Sequence, residues 1–422
     1  MGPFSRKTAF SRVTALASRR PVHAAFAWMH NNPQTIMDWQ STLVAIPAPP
    51  FGEAARSEWI AGLFQKAGLV AVEIDAVGNV LGILPASHLP ADSSGPVVVV
   101  SAHLDTVFPV DTPLNPIVTR SDSTLRLTAP GACDNGAGVA GMLALVHAIV
   151  NAKIALPVPV VILANVGEEG EGDLRGVRHF YAHSPFTSRV AAHIVLDGAG
   201  ADSAVSQALG SRRFQVTISG PGGHSFTDAG TPNPIVGLSA ALSMLSETSL
   251  PDEPRTTLNI GTIHGGTSVN SIPESAAASI DFRSTDADEL VRLEVALHRA
   301  VEDAVERTNG AARAYPRSRG SLSFAIEKIG DRPAANSPTD SLLLETLRSV
   351  DRHLGLRTDL RLGSTDANIP IARGVPSLSL GAGGDGGGAH TLAEWYSDKD
   401  RELGLRRVLL LVLATAEWAA EI

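Results

Sequence analysis

The chain has 422 residues, a formal net charge of −9 and 44% hydrophobic residues, enough for one large core or a core with a satellite domain. The negative charge argues against a nucleic-acid partner. Cys133 is the only cysteine, which excludes an intramolecular disulfide and is compatible with a reducing cytoplasm. The apolar run over residues 408–414 is far too short to cross a membrane, and we expect neither a signal peptide nor a membrane partner.

The pattern up to residue 207 predicts an α/β layer with a mostly parallel sheet flanked by helices. Residues 1–30 carry no clear pattern. The predicted elements that follow are, in chain order, a helix over 33–44, a Pro-rich loop over 45–52, a helix over 53–67, a hairpin over 70–84, a strand over 97–102, a helix over 136–151, and strands over 158–165 and 192–196.

After about residue 206 the pattern changes to the β-α-β-β-α-β order of a ferredoxin-like unit. Its predicted elements are strand 212–219, helix 232–248, strands 256–263 and 276–283, helix 286–308 and strand 321–328. We therefore predict a catalytic domain made of residues 1–207 and 333–422, interrupted by an inserted α+β domain over 208–332.

Metal-type ligands recur at Gly-flanked ends of the predicted strands and in one Gly-rich loop. Side chains there emerge at the carboxyl ends of strands, where open α/β sheets bind ligands. Two His and three carboxylates, beyond a further acid–base pair, suit two divalent ions better than one. The segments are SAHLDT with His103 and Asp105, GACDNGAG with Asp134, NVGEEGEG with Glu168 and Glu169, VLDGAG with Asp197, and GGAHTLAEW with His390.

Each residue type suits a role in such a site. His103 is a candidate ligand, and Asp105, two residues on, is the partner that would fix its ring orientation. Asp134 lies among small residues that let backbone approach a bridging carboxylate, or it caps the next helix. Adjacent Glu168 and Glu169 point to opposite sides in an extended chain, so one can bind metal while the other moves protons.

Three residues of the inserted domain are ambiguous from pattern alone. His224 in GPGGHSF could be a turn residue, and Asn270 in GGTSVNSIP could be structural. Arg283 in SIDFRS could clamp a carboxylate of a substrate or form an ordinary ion pair.

Taken in order, SAHLDT, the Glu-Glu pair, the Asp-Gly step, GGHS, NSIP, DFR and GSTDAN resemble the dinuclear-zinc metallopeptidase family. That family contains peptidase T (tripeptidase), dipeptidases, carnosinases, glutamate carboxypeptidases, aminoacylases and succinyl-diaminopimelate desuccinylase. The resemblance runs from about residue 35 to the C-terminus. It implies that the inserted domain is a lid through which the chain forms a homodimer.

The resemblance also implies roles for the site residues. Two divalent ions are expected, Zn²⁺ first, with Co²⁺ or Mn²⁺ as alternatives. Asp134 would bridge them, with His103 and Asp197 completing one site and Glu169 and His390 the other. Glu168 would be the general base and acid. The resemblance implies further that His224 serves a partner subunit's active site, stabilising the oxyanion, while Asn270 and Arg283 hold the polar end of the substrate.

Two departures from the family pattern bear on the substrate. Phe226 stands where the family often has Gly after GHS, and the ligand at 197 is Asp. By the resemblance, Asp is typical of aminopeptidase-type members, so we expect an exopeptidase for di- and tripeptides. An N-acyl-amino-acid amidohydrolase or carboxypeptidase with the same metals is the alternative, and an inactive binding member is a third. A serine hydrolase is excluded because no G-x-S-x-G motif occurs, and a one-zinc protease is excluded because no H-E-x-x-H motif occurs.

Overall fold

The structure, a computed structural model, describes residues 8–87, 94–338 and 340–422. Its residue contacts divide the chain into two compact units. The first, here called the catalytic unit, extends to Ala208 and resumes at Asn336; the second, here called the lid unit, is Leu209–Ala335.

The catalytic unit contains nine of the α-helices found in the described residues. They are α1 Ala9–Ala17, α2 Arg20–Asn31, α3 Pro33–Val44, α4 Ala54–Ala67, α5 Gly136–Asn151, α6 Arg175–His183, α9 Leu342–Leu354, α10 Asn368–Ala372 and α11 Arg401–Ala419. None of the helices in the described part of the chain has the length and apolarity needed to cross a membrane.

The main sheet of this unit has the strand order β1-β2-β6-β3-β7-β17-β8-β15, and β16 pairs with β8. Its strands are β1 Val70–Ile74, β2 Val80–Leu84, β3 Val97–His103, β6 Val160–Asn165, β7 Val190–Leu196, β8 Ser203–Ala208, β15 Ala335–Asn336 (at the border of the two units), β16 Asp359–Gly363 and β17 Ser377–Leu380. Strand β3 runs parallel to β6 and β7, and β17 runs parallel to β7. The predicted α/β class with a mostly parallel sheet is confirmed.

Strand β3 shows why this sheet forms. All seven of its residues are buried, and alternate side chains enter different cores. Val98 and Val100 pack in the core that includes α5 and α11, whereas Val97 and Val99 pack with α6. A strand covered on both faces reads as a continuous apolar run, as the Val-rich sequence does.

Residues 9–31, for which the sequence indicated no element, form α1 and α2. Thr8 caps α1 by accepting a hydrogen bond from the Ser11 N–H, and Val13 is buried. Ion pairs from Arg12 to Glu421 (2.8 Å) and from Arg19 to Glu417 (2.6 Å) join α1 and the residue before α2 to the α11 region. Much of what holds these helices lies far away in the sequence, which a local pattern does not reveal.

A small antiparallel sheet of the catalytic unit was also not predicted. Its order is β18-β19-β5-β4, and its strands are β4 Ile117–Ser121, β5 Thr124–Thr128, β18 Asp385–Gly387 and β19 Trp395–Ser397. Strands β18 and β19 enclose the loop that carries His390. The sheet therefore ties this loop to β5, which lies shortly before Asp134 in the chain.

The lid unit is an antiparallel sheet of order β11-β13-β9-β14 with two helices packed on it. Its elements are β9 Gly210–Ser219, β10 Gly223–His224, α7 Pro234–Ser246, β11 Thr256–Gly265, β12 Ser271–Ile272, β13 Ser275–Ser284, α8 Ala287–Ala312 and β14 Ser323–Arg332. The long elements follow the expected β-α-β-β-α-β order, and the short β10-β12 pair is added to it.

Candidate metal centre

The predicted ligands of the catalytic unit meet at one edge of its main sheet. His103 is the last residue of β3 and lies beside Asn165, the last residue of β6. Glu168 and Glu169 follow β6 by a few residues, and Asp197 follows β7 directly. Because β3, β6 and β7 are parallel, their carboxyl ends lie together, as expected for a ligand site in an α/β sheet.

One group of potential ligands joins His103, Asp134 and Asp197. The His103 Nε2 atom lies 3.2 Å from Asp134 Oδ1 and 3.8 Å from Asp197 Oδ1. A second group joins Asp134, Glu169 and His390. The His390 Nε2 atom lies 3.1 Å from Asp134 Oδ2 and 3.0 Å from Glu169 Oε1. In each group the donor atoms lie within 4.8 Å of one another.

Asp134 is common to both groups, and each of its carboxylate oxygens faces a different histidine. A carboxylate in this position can bridge two cations. The donor set of imidazole nitrogens and carboxylate oxygens suits Zn²⁺ and similar divalent ions. The residues present therefore fit two metal ions, one on each side of Asp134.

Electrostatics around Asp134 favour its charged form. Burial alone would raise the pKa of this carboxyl, but hydrogen bonds with His103 and His390 outweigh it and hold the pKa well below its usual range. The same contacts act on His390, whose pKa is raised to about 9, chiefly by its hydrogen bond with Asp134. His390 has a φ of 64°, in the left-handed region, where a non-glycine residue is strained and often functional.

Asp105 contacts both sides of the site. The His103 Nδ1 atom lies 3.1 Å from the Asp105 backbone carbonyl oxygen and 3.6 Å from carboxylate Oδ1. The carboxylate also accepts hydrogen bonds from the backbone N–H groups of Glu168 (3.0 Å) and Glu169 (2.8 Å). Asp105 is fully buried, so it fixes the candidate ligand His103 and the backbone of Glu168 and Glu169 relative to one another.

Glu168 belongs to a third close group, with His103 and Glu169, whose donor atoms also lie within 4.8 Å. Both glutamates are buried. Burial is also the main reason that the pKa of Glu169 is raised above its usual value. Glu168 thus lies next to one residue of each ligand group without belonging to either group.

Two further residues support the Asp134 loop and were missed by the sequence reasoning. The buried Glu394 carboxylate accepts hydrogen bonds from the backbone N–H groups of Gly131, Cys133 and Asp134, each 2.7 Å long. Asn135 donates a hydrogen bond to the Leu196 carbonyl (2.9 Å), which links this loop to the end of β7. Glu394 follows His390 by four residues in GGAHTLAEW, and that proximity is the only sequence signal for it.

Asp366, within the GSTDAN motif, is a third supporting residue that the sequence analysis left without a role. It is buried and accepts a hydrogen bond from Asn165 Nδ2 (2.7 Å), at the end of β6. Burial raises the pKa of Asp366 to about 7. Cys133, next to Asp134, is partly buried, and burial raises the pKa of its thiol to about 12, which disfavours the thiolate form.

The three predicted residues of the lid unit fall into two places within that unit. His224 and Asn270 lie together, because His224 pairs with Ser271 and the Ser225 N–H donates to the Asn270 carbonyl (3.0 Å). Arg283 lies near the other end of β13, about 26 Å from the start of that strand at ~3.3 Å per residue. Its Nε donates to Asp281 Oδ2 at 2.7 Å.

Solved structures share this fold. The aminopeptidase PepT from Bacillus cereus superposes with a TM-score of 0.70 at 19% identity, over 90% of this chain and 98% of that chain. A tripeptidase from Staphylococcus aureus superposes with a TM-score of 0.68 at 21% identity, over 92% of this chain and 99% of that chain. The dipeptidase Dug1p from Saccharomyces cerevisiae superposes with a TM-score of 0.66 at 14% identity, over 94% of this chain and 99% of that chain. At these identities the likeness establishes the fold alone.

Curated relatives are more similar in sequence but match over less of the chain. A protein of Aspergillus clavatus named "probable carboxypeptidase" is 27% identical over 277 residues, which cover 60% of this chain and 58% of that relative. One of the same name from Ajellomyces dermatitidis is 30% identical over 226 residues, covering 49% and 51%. The chain thus matches between half and three fifths of the length of these relatives.

The α/β fold and the two candidate ligand groups that share Asp134 fit a hydrolase that uses two metal ions. Residues 99–414 match the sequence profile of Peptidase family M20/M25/M40, and the chain belongs to this family. The family resemblance predicted from the motifs is confirmed.

Proposed function

We propose that this protein is a two-metal exopeptidase that hydrolyses the amide bond next to the N-terminal residue of small peptides. The observation that carries the proposal is the position of Asp134 between His103 and His390, with Asp197 and Glu169 completing the two groups. Peptide hydrolysis is the reaction for which such a pair of sites is suited, because the amide carbonyl and the attacking water must both be activated.

His103, Asp134 and Asp197 would hold one divalent ion, and Asp134, Glu169 and His390 the other. Zn²⁺ is the first choice for this donor set, and Co²⁺ or Mn²⁺ would also fit it. When bound, the ions polarise the amide carbonyl and lower the pKa of the attacking water. Asp105 holds His103 and the backbone of Glu168 and Glu169 in place during the reaction.

Glu168 is the residue to which we assign proton transfer. Its carboxylate takes a proton from the attacking water and then delivers it to the nitrogen of the leaving amine. The hydrogen bond from the Glu168 backbone N–H to the Asp105 carboxylate fixes the position of the Glu168 backbone, and with it the base of the side chain. The five ligand residues would hold the ions, and none of them is needed to move protons.

His224 supplies a hydrogen-bond donor for the developing oxyanion. Its Nδ1 accepts hydrogen bonds from the backbone N–H groups of Phe226 (3.2 Å) and Thr227 (3.4 Å), so the ring proton lies on Nε2. The side chain is exposed, and Nε2 can therefore donate to a substrate.

A homodimer formed through the lid unit follows from the same proposal. A di- or tripeptide is too short to span the ~26 Å from the start of β13 to Arg283. Arg283 at one end and His224 with Asn270 at the other would therefore serve two different active sites. We infer that His224 and Asn270 of one subunit act in the active site of its partner. A cytoplasmic location remains part of the proposal, on the ground of the single cysteine.

Two observations point to different ends of the substrate. Asp at position 197 resembles the aminopeptidase-type members and favours removal of the first residue. The curated relatives are named "probable carboxypeptidase", which favours removal of the last residue and is the second candidate function. An N-acyl-amino-acid amidohydrolase is the third candidate with the same metals.

Mass-spectrometric hydrolysis of a di- and tripeptide panel by Zn²⁺-loaded protein separates these candidates. Each peptide is paired with an N-acetylated twin and a C-amidated twin. We expect cleavage of free and amidated tripeptides with release of the first residue. Release of the last residue, blocked by amidation, would establish a carboxypeptidase. Cleavage of acetylated twins alone would establish an acyl-amino-acid hydrolase.

A further inference from the structure

The Pro-rich loop over residues 45–52 contains a turn with an unusual residue. The Gly52 N–H donates to the Pro49 carbonyl (2.8 Å), which closes a four-residue turn with Pro50 second and Phe51 third. Phe51 has a φ of 70°. This is the pattern of a type II turn, whose third position requires positive φ and favours Gly or Asn. A phenylalanine there strains the backbone, and such strain clusters at functional sites.

The Phe51 ring is both exposed and held in place. It is 68% exposed, although exposure of a large apolar side chain gains nothing for the fold. The Arg175 guanidinium stacks on the ring, 4.8 Å from its centroid. Arg175 is itself fixed, because it donates to Glu53 Oε2 and to the Val77 carbonyl, each at 2.6 Å. The ring is therefore presented to solvent on a rigid support.

That support lies against the segment that carries Glu168. The Arg175 N–H donates to the Gly167 carbonyl (3.1 Å), and the Arg175 side chain packs so closely on Gly167 that a Cβ there would be 2.5 Å from its Cγ. Gly167 immediately precedes Glu168. Phe51 is thus connected to the proposed proton-transfer residue through one side chain and one glycine.

The other side of the loop is joined to the segment that carries His103 and Asp105. The Thr106 N–H donates to the Ala48 carbonyl (2.9 Å), and buried Arg56 donates to the carbonyls of Ile46 (2.8 Å) and Leu104 (2.6 Å). The turn that carries Phe51 is therefore bound both to the His103 segment and to the Glu168 segment. It forms part of the rim of the metal centre.

We propose that Phe51 determines substrate specificity by packing against an apolar side chain of the residue beside the scissile bond. The proposal rests on the proposed peptidase function, since it names the substrate class that this site prefers. An aromatic ring fixed at the rim gains free energy when an apolar side chain covers it and gains nothing from glycine. Peptides with Leu or Phe beside the scissile bond are thus preferred over those with Gly.

The test compares kcat/KM for the Xaa-Ala and Ala-Xaa dipeptide series, where Xaa is Gly, Leu or Phe, in wild type and Phe51 variants. Phe51→Gly is the main variant, because glycine accommodates the positive φ and keeps the turn. In one of the two series, we expect it to lower kcat/KM for the Leu and Phe peptides by about tenfold relative to the wild type. The kcat/KM for the Gly peptide should stay within about twofold of the wild-type value. The thermal midpoint of this variant should equal or exceed that of the wild type.

Two further variants sharpen the comparison. Phe51→Leu keeps an apolar surface and should retain most of the preference. Val150→Ala removes an exposed apolar side chain near the C-terminal end of α5, about 21 Å along the helix from its first residue, Gly136, at 1.5 Å per residue. It should leave the ratios of kcat/KM between Leu, Phe and Gly peptides unchanged.

An equal loss of kcat/KM for Gly, Leu and Phe peptides in Phe51→Gly would overturn the proposal, and so would an unchanged preference. If the wild type cleaves only acetylated twins, the proposed aminopeptidase function fails by itself. The same Phe51 comparison is then read on acetyl-Xaa substrates, where the same two outcomes decide it.

Discussion

The carboxylate of Glu394 binds the backbone of Asp134, a residue 260 positions earlier in the chain, at 2.7 Å. The same carboxylate also accepts the N–H groups of Gly131 and Cys133, so a single side chain shapes the whole loop that presents the proposed bridging carboxylate. The positions of the two oxygens of Asp134 relative to His103 and His390 therefore depend on Glu394.

Glu394→Gln should weaken metal binding although Glu394 is not itself a ligand. Its amide NH₂ group cannot accept a hydrogen bond, so at least one N–H of the Asp134 loop loses its partner. We expect a drop of about 10- to 100-fold in metal affinity, the scale for residues that support ligands. Competition titration with a chromogenic chelator measures it. Asp385→Asn, an exposed change on β18, is the control, and equal affinities of the two variants would contradict the role of Glu394.

Glu168→Gln should keep the metal ions and lose catalysis. The variant preserves shape but cannot take a proton, so kcat should fall by at least about 10²-fold. Metal content by mass spectrometry and kcat on a cleaved peptide are measured together. Glu171→Gln changes an exposed glutamate three residues further on and should retain normal turnover. Near-normal kcat in Glu168→Gln would show that another group moves the proton.

Asp134→Ala should abolish binding of both ions, because both ligand groups share this residue. Asp197→Ala removes a residue of only one group and should weaken only one of the two ions. Isothermal titration with Zn²⁺ gives the stoichiometry for each variant. If Asp134→Ala still bound one ion with wild-type affinity, the bridging assignment would be wrong.

The fold should lose stability in acid through His193. This fully buried residue bonds the Tyr181 hydroxyl (3.1 Å) and the Ser101 hydroxyl (2.8 Å), and burial lowers its pKa from 6.5 to about 3. Between these values the unfolded chain binds one more proton than the folded one. The contribution of neutral His193 to the free energy of unfolding is thus complete above pH ~6.5 and falls by about 1.4 kcal/mol per pH unit below it.

Denaturant unfolding between pH 7.5 and 4.5 checks this slope. The free energy of unfolding of His193→Gln should be lower overall. It should also depend less steeply on pH than that of the wild type, by the equivalent of about one proton. His183→Gln, a change of an exposed histidine, should follow the wild-type slope. Parallel curves for wild type and His193→Gln would mean that His193 does not titrate in this range.

The parts of the structure that the sequence predicted are those with a local signature. Strand β3 could be predicted because its Val run is buried on both faces, and His103 because it ends that run. Asp134 and Glu168 stood out because glycines flank them. Each of these signals lies within a few residues of the side chain concerned.

The parts that could not be predicted depend on contacts between distant segments. Glu394 acts on the backbone of a loop 260 residues away, so its local sequence says little about its role. Helix α1 is joined by an ion pair to the α11 region, and the partner of β5, β19, comes only after the inserted lid unit in the sequence. Whether His224, Asn270 and Arg283 contact substrate stays a prediction, although the separation of Arg283 from the other two was not apparent from the motifs.

The ligand residues come from segments as distant in the sequence as His103 and His390, joined through Asp134. Ions held there would act as cross-links within the catalytic unit, comparable to disulfides in a chain that can form none. Ligands that bind only the folded state stabilise it by about 2.7 kcal/mol at a free concentration of one hundred times Kd. Chelators should therefore lower the melting temperature as well as the activity, and metal supply would set how long the folded protein persists.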